Sequence, residues 1–294
     1  MTTISLHQQT QSLAQRLARL QPGMDETLAR LSSGTKLTRP SADPIGVGVA
    51  ARYDARQRRY DAAAVNLQNG ASRLQTTDSA LAGMARTLER LSELATLTGN
   101  AVQSPADREV YNREFVALQE QLRSMIGGTT ADIGGTSDVT SPQGSYEGRA
   151  LFGAPPAGGE FLAAGAEGDE QIALPDANLR QGPMLAIFQQ DGTGAFTLQI
   201  DAPGTVAAIK AATDQIATKR AAVGGAQSRI EFASSAIATA QTNAEAALSR
   251  IRDTDVASES TTLARRQMLE QSHVAMLTQA REVPRQLLPL LSNR

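Results

Sequence analysis

The sequence contains no cysteine and no tryptophan, and aromatic residues make up only 3% of its 294 residues. The absence of cysteine excludes disulfide bridges and thiolate metal sites. Hydrophobic residues are 41% of the chain, which is enough for a core, but so few aromatic side chains favour thin helix-on-helix packing over a thick globular centre. The composition therefore predicts extended helices.

The chain also lacks an excess of charge and a long apolar run. A formal net charge of −2 gives no reason to expect a nucleic acid or an anionic membrane as a partner. No stretch approaches the ~18–20 apolar residues of a membrane span. Residues 1–20 lack the basic start, apolar run and cleavage site of a secretory signal. We expect no nucleic acid partner, no membrane partner and, if the protein is exported, a route without a cleaved signal peptide.

Motifs for catalysis or cofactor binding are missing as well. The two histidines, His7 and His273, have no partners at metal-ligand spacing, so a surface or interface role is favoured. Residues 46–51 formally match a dinucleotide fingerprint, but they follow prolines rather than a strand, and close helix packing is the better interpretation. The glycine-rich segment 127–137 lacks the lysine of a P-loop. We expect no cofactor, no metal and no enzymatic activity.

Two segments place apolar residues at seven-residue intervals, which indicates coiled-coil helices. The first runs from Tyr53 to Ala95 and the second from Ile209 to Ile251. In the second segment alanine commonly follows three residues later, which lets helix axes approach closely. A further helix is predicted between an N-cap at Ser104 and a stop at Gly127. The predicted fold class is mainly α, a long antiparallel coiled-coil bundle.

A segment of different composition, residues 127–202, separates the two helical halves. It is rich in glycine and threonine and has no seven-residue period. Four short runs favour strands, with a hairpin turn at Asp191–Gly194 between the last two: residues 160–165, 171–174, 184–188 and 195–200. We expect a small β-containing insert at the far end or outer face of the bundle, whose helical parts are 46–126 and 203–255.

Both ends of the chain carry apolar stripes, although chain ends are usually polar and frayed. Helices are predicted over residues 1–33 and 256–294, and their stripes either pair with each other or meet a partner. The residues expected at this interface are Leu13, Leu17, Leu20, Leu28, Leu31, Met276, Val283, Leu287 and Leu290.

Four segments resemble the bacterial flagellins and their relatives, the hook-filament junction proteins. Leu28–Arg52 resembles the amino-terminal signature of the family, and Asn66–Ala95 resembles the block that follows it. Val223–Glu231 and Arg250–Leu291 resemble the carboxy-terminal signature. Several linked motifs at both ends of the chain make the resemblance specific.

The resemblance implies a structural subunit that polymerises into the extracellular flagellar filament used for swimming motility. The terminal helices would pair as the inner core of the filament, and residues 34–45 would be a linker to an outer bundle, with the insert facing solvent. The implied partners are further copies of the chain, an export chaperone, junction proteins and the filament cap. The linker residues singled out are Gly34, Pro40, Asp43 and Pro44.

The resemblance also implies a surface that a flagellin-sensing Toll-like receptor could contact. The matching residues are Leu88, Arg90, Glu93 and Leu94, although Ser92 stands where an arginine is common in the family.

Two alternatives remain at the sequence level. Arg39–Pro44 and Tyr146–Ala154 resemble junction proteins, whereas Arg250–Glu259 and Ala275–Leu291 resemble flagellin. Because the carboxy terminus governs subunit packing, a filament subunit is favoured over a hook-filament junction adaptor. A cytoplasmic coiled-coil signalling rod would explain the heptads but not the terminal signatures or the insert.

Overall fold

Long helices dominate the computed structural model, which describes residues 2–99, 104–165, 167–168 and 170–291, with side chains from residue 11 to 280 and that of Glu282. The prediction of a mainly α protein with paired terminal helices and a small β-containing insert is confirmed. In chain order the elements are α1 (Thr2–Ser33), α2 (Pro44–Thr98), α3 (Pro105–Ile126), α4 (Thr130–Ile133), β1 (Ser145–Tyr146), β2 (Arg149–Ala150), β3 (Phe161–Ala163), β4 (Gln171–Ala173), α5 (Pro183–Phe188), α6 (Thr205–Arg252) and α7 (Val256–Leu291).

The chain forms two compact units. The terminal unit comprises residues 1–57 and 241–294, and the central unit comprises residues 58–240. The terminal unit therefore contains α1, α7, the first turns of α2 and the last turns of α6, whereas the central unit contains the remaining helices and the insert.

In the central unit, the two heptad helices run antiparallel. Arg220 Nε of α6 donates to Asp78 Oδ1 of α2 over 2.8 Å, while the later α6 residue Ile230 lies against the earlier α2 residue Gly70. The heptad prediction is confirmed: Tyr60 is half-buried, and the ten later members in this unit are at most 6% exposed. Each buried Leu or Ile contributes about 1.5–3 kcal/mol. The ten members are Leu67, Leu74, Leu81, Leu88 and Ala95 on α2, and Ile209, Ile216, Val223, Ile230 and Ile237 on α6.

The third helix begins and ends where its sequence signals predict. The Ser104 hydroxyl accepts a hydrogen bond from Asp107 N at 3.2 Å, and Pro105 occupies the first turn. Gly127, with φ at +63°, follows the last residue, because glycine adopts this left-handed region without steric cost. The helix buries Phe115 and Leu122.

The insert contains two short antiparallel hairpins. Strand β1 pairs with β2, and β3 pairs with β4 with Leu162 opposite Ile172, which confirms the predicted strands in 160–165 and 171–174. Leu162 also packs on α2 at Gly70, where an added Cβ would stand 2.5 Å from Leu162 Cδ2. Glycine at position 70 therefore allows the second hairpin to approach the long helix.

The other two strand predictions in the insert are wrong. Residues 184–188 form helix α5, in which Met184, Ile187 and Phe188 are buried. These residues stand at i, i+3 and i+4, so the helical spacing of the buried side chains decided the element. Residues 195–200 form no strand, and only an isolated bridge joins Phe196 to Gln190. The turn at Asp191–Gly194 is confirmed, since Asp191 N donates to Ala195 O at 2.8 Å.

Candidate assembly interface

The terminal helices α1 and α7 pack against each other in antiparallel orientation. Arg30 Nη1 of α1 lies 3.6 Å from Glu259 Oε1 of α7, whereas Arg266 contacts the earlier α1 residues Gly23 and Thr27. The less exposed side chains of each helix are spaced alternately by three and four residues, as in a coiled-coil seam. On α1 the seam is Leu13, Leu17, Leu20, Met24, Thr27 and Leu31, and on α7 it is Leu263, Arg266, Glu270, His273, Leu277 and Ala280.

The nine expected interface residues divide into three groups. Four of them, Leu13, Leu17, Leu20 and Leu31, are half-buried in the seam. Leu28 and Met276 lie outside the seam and remain about half exposed, since Thr27 and Leu277 occupy the seam positions beside them. The side chains of Val283, Leu287 and Leu290 lie outside the described residues.

The terminal unit leaves further large apolar side chains exposed. On α7, Met268 is 64% exposed, and Leu269 and Val274 are also on the surface together with Met276. Ile45 at the start of α2 and Val256 at the start of α7 are exposed as well. Large exposed apolar groups mark contact surfaces when they cluster. Sequence reasoning missed Met268, Leu269 and Val274 because it began the α7 stripe at Met276, although Leu269 lies one heptad before Met276 and continues that stripe.

The helical path is broken twice in the terminal unit, between α1 and α2 and between α6 and α7, and the two breaks are hydrogen-bonded to each other. Lys36 N donates to Arg252 O at 2.6 Å, and Thr254 N donates to Gly34 O at 2.9 Å. Gly34 adopts φ of +68°, which lets the chain leave α1. Sequence reasoning identified the first segment but did not predict that the two breaks are paired.

Two aspartates start the helices that leave this paired break. The Asp43 carboxylate accepts from Gly46 N at 2.8 Å and caps α2, which begins at Pro44. Pro40 lies in a turn closed by Ala42 N donating to Arg39 O. The Asp255 carboxylate accepts from Ala257 N at 3.0 Å and caps α7.

The neighbouring aspartate of the break, Asp253, is stabilised in its ionised form. The Ser249 hydroxyl, which donates at 2.6 Å, holds the pKa of the Asp253 carboxyl below its usual range, with help from Arg252 and Lys36. Because the pKa is lower in the folded state, the ionised Asp253 carboxylate contributes to folding stability above the ordinary aspartate pKa of about 3.9. This contribution to stability is lost as the pH falls through the folded-state pKa.

In the central unit, two buried polar side chains of α3 hold the insert. Gln119 Nε2 donates to Ile187 O at 2.8 Å and to Leu198 O at 3.0 Å. Arg123 donates to Ile133 O at 2.9 Å, to Gly134 O at 2.7 Å and to a third carbonyl, that of Ser137. Desolvation lowers the pKa of the Arg123 guanidinium. Sequence reasoning missed both residues, because the spacing within one helix does not show which polar side chain will meet the insert.

Comparison with known proteins accounts for both helical halves of the chain. Residues 4–132 match the family model of the bacterial flagellin N-terminal helical region, and residues 206–291 match that of the C-terminal helical region. The chain belongs to the bacterial flagellins. It is a structural subunit of the flagellar filament, which polymerises with copies of itself and lies outside the cell.

Individual relatives support the same assignment over nearly the whole length. The flagellin of Listeria monocytogenes is 27% identical over 280 residues, covering 92% of this chain and 93% of the relative. The flagellin of Bacillus subtilis is 26% identical over 289 residues, covering 94% and 95%. The flagellar filament 30.7 kDa core protein of Treponema maltophilum is 29% identical over 271 residues, covering 90% and 91%. These findings support a filament subunit, and none of them favours a hook-filament junction adaptor.

In the described part of this flagellin, no helix is long and apolar enough to cross a membrane. Among the same residues, no group of three or more His, Asp or Glu side chains converges in a way that could hold a metal ion.

The structure corrects the expectation for two of the four residues matched to the receptor-facing surface. Leu88 and Leu94 are 0% exposed and lie in the core of the central unit. Arg90 and Glu93 are exposed, and Arg90 donates to Glu93 at 2.9 Å and to Glu114 at 2.7 Å. The hydrogen bond from Arg90 lowers the pKa of the Glu114 carboxyl. The heptad explains the difference, because Leu88 occupies a seam position whereas Arg90 does not.

Substitutions of Leu88 and of Arg90 distinguish a core position from a surface position. Leu88→Ala is expected to lower the free energy of unfolding by about 2–5 kcal/mol, because it leaves a cavity in a packed core. Arg90→Ala, which removes only the exposed ion pairs with Glu93 and Glu114, is expected to leave the free energy of unfolding nearly unchanged. Urea denaturation followed by circular dichroism measures both values, and equal losses would contradict the assignment of Leu88 to the core.

Proposed function

We propose that this flagellin assembles through its terminal unit, where neighbouring copies cover the apolar side chains left exposed on α7 and at the start of α2. The supporting observation is that Met268, Leu269, Val274 and Met276 stay on the surface after α1 has packed on α7. Burial of apolar surface is favourable by about 25 cal/mol per Å². A patch on one copy that meets a different patch on the next gives a heterologous contact, which builds an open filament rather than a closed ring.

In the filament, the terminal helices 1–33 and 256–294 form the inner core, and residues 34–45 connect it to the outer bundle of 46–126 and 203–255. The insert, 127–202, faces solvent. The hydrogen bonds of residues 34–36 to 252–254 support this division, because both chain segments leave helical geometry where they contact each other.

The further partners follow from the filament role. They are an export chaperone, junction proteins at the base and a cap at the tip, and export needs no cleaved signal peptide. A flagellin-sensing Toll-like receptor would meet the exposed Arg90 and Glu93 rather than the buried leucines. The chain acts as a structural subunit rather than as an enzyme.

Seeded polymerisation tests the assembly surface. Purified monomer is added to short filament seeds and imaged by negative-stain electron microscopy, and long uniform filaments are expected. Met268→Glu is expected to raise the critical concentration at least ~10-fold, because a neighbouring copy would have to bury a carboxylate, at a cost above about 1.4 kcal/mol.

The matched control is Gln267→Glu, which introduces the same charge at an adjacent exposed polar position of α7. An equal loss from both variants would attribute the effect to charge rather than to a covered apolar patch. Persistent monomer, or short stubs that cap the seeds, would contradict the filament role and favour a junction adaptor.

A further inference from the structure

A polar contact interrupts the seam between the terminal helices. Arg266 Nη1 of α7 donates to the Gly23 carbonyl and to the Thr27 hydroxyl of α1. The Thr27 hydroxyl in turn donates to Gly23 O at 2.9 Å, and Thr27 is only 1% exposed. The three residues therefore form a connected polar cluster at one level of the helix pair.

Glycine at position 23 makes room for the guanidinium. A Cβ added there would stand 3.1 Å from Arg266 Nη1 and 3.2 Å from its Cζ, which is closer than ordinary van der Waals contact. Gly23 lies inside α1 directly after Pro22, at a helical position where glycine is otherwise unfavourable. Contact with Arg266 accounts for a residue that local helix preference does not explain.

The apolar part of the seam does not define one alignment of the two helices. Its members on α1 repeat with coiled-coil spacing, so a shift of one heptad would again place leucine against α7. Such a shift would move Arg266 by about 10 Å along α1, at ~1.5 Å per residue, and away from the acceptors at Gly23 and Thr27. A guanidinium left without acceptors in a half-buried seam is unfavourable, so the polar cluster selects one register.

We propose that Gly23, Thr27 and Arg266 form a register lock that fixes the axial alignment of α1 against α7 and thereby positions the surface that neighbouring copies contact. This inference rests on the proposed assembly through the terminal unit. Arg266 is a positioning residue, since it acts through the alignment of the helices.

A reversal in the effect of one substitution tests the lock. In the otherwise unchanged chain, Gly23→Ala is expected to raise the critical concentration for filament growth, because the new methyl group forces the guanidinium to shift by a few tenths of an ångström relative to its acceptors. In the Arg266→Met background, the same Gly23→Ala change is expected to lower the critical concentration about 2- to 5-fold, which is the gain from replacing a helical glycine by alanine. The control is Gly225→Ala, an exposed position in α6 with no atom within 4 Å of an added Cβ. The effect of Gly225→Ala on the critical concentration is expected to be the same in both backgrounds. If the effect of Gly23→Ala is also the same in both backgrounds, the register lock is overturned.

The register itself is measurable because the chain contains no cysteine to be removed before labelling. Spin labels at Ala18→Cys and Ser272→Cys, both exposed positions, report the distance between α1 and α7. The labelled chain is diluted into unlabelled chain and assembled on seeds, and pulsed electron paramagnetic resonance gives the distance distribution.

One narrow distance is expected with Arg266 present and for Arg266→Lys, which keeps a donor. A broadened or second distance is expected for Arg266→Met. A single unchanged distance for Arg266→Met would overturn the proposal, even if filaments form normally. If neither the labelled chain with Arg266 intact nor the unlabelled chain polymerises, the result would instead contradict the assembly role on which the inference rests.

Discussion

A chain that ends at Ala275 is expected to keep a folded central unit and to form no filaments. The deletion removes the last part of α7, including Met276 and the apolar residues Val283, Leu287 and Leu290. At about 1.5–3 kcal/mol for each apolar side chain that assembly would bury, the loss amounts to more than a ~1000-fold rise in critical concentration. Sedimentation and negative-stain electron microscopy after seeding measure polymer formation.

Two observations make this deletion selective. The central unit spans residues 58–240 and contains none of the deleted residues, so its helical signal and its cooperative melting should persist. A chain that ends at Leu291 loses only Ser292, Asn293 and Arg294, and it should polymerise as the complete chain does. Normal filaments from the chain that ends at Ala275 would refute the role of the tail in assembly.

Arg123→Met is expected to give a large loss of stability in the central unit, comparable to that of Leu88→Ala. Arg123 is only 2% exposed, and its guanidinium donates to the carbonyls of Ile133, Gly134 and Ser137. A hydrogen bond to a charged group contributes about 1.5–3 kcal/mol, and a buried carbonyl left without a donor costs about 1–3 kcal/mol. We expect the free energy of unfolding to fall by about 3–5 kcal/mol, measured by urea denaturation.

Hydrogen exchange locates the effect of this substitution. Protection should fall first in the insert near α4, because that segment loses its donor. The matched control is Arg113→Met on the same helix, whose side chain is 75% exposed and pairs only with Glu109 among the contacts described for it. That change should cost less than about 1 kcal/mol. Equal destabilisation by both variants would show that Arg123 does not anchor the insert.

The heptad helices are the part of the fold that the sequence predicts best. Leu67, Leu81 and Ile216 occupy seam positions by spacing alone, and the structure buries all three completely. Periodicity succeeds there because a helix presents every seventh residue to the same neighbour, so local pattern and tertiary contact agree. The caps at Ser104 and Asp43 are local for the same reason, since each side chain bonds a backbone group three residues away.

The insert shows where local pattern fails. Residues 184–188 have the composition of a strand, yet they form α5, whose first amide at Met184 donates to Gln215 of α6 at 2.8 Å. Ile187 and Phe188 can both face the core only when the segment is helical. A contact with a residue that lies thirty-one positions later in the chain is invisible to any short window of sequence.

By itself, the sequence determined the long helices, the flagellin character of both halves and the apolar nature of the chain ends, because each depends on spacing or motif within one segment. Only the tertiary structure decided that Thr27 rather than Leu28 faces α7, that Leu88 and Leu94 are core residues, and that the break after Ser33 is paired with the break at Asp253. A one-residue change of phase on a helix turns a side chain by about 100°, and the choice between adjacent apolar positions belongs to the partner helix. The same reason hid Arg266, whose acceptors lie on a helix more than two hundred residues away in the chain.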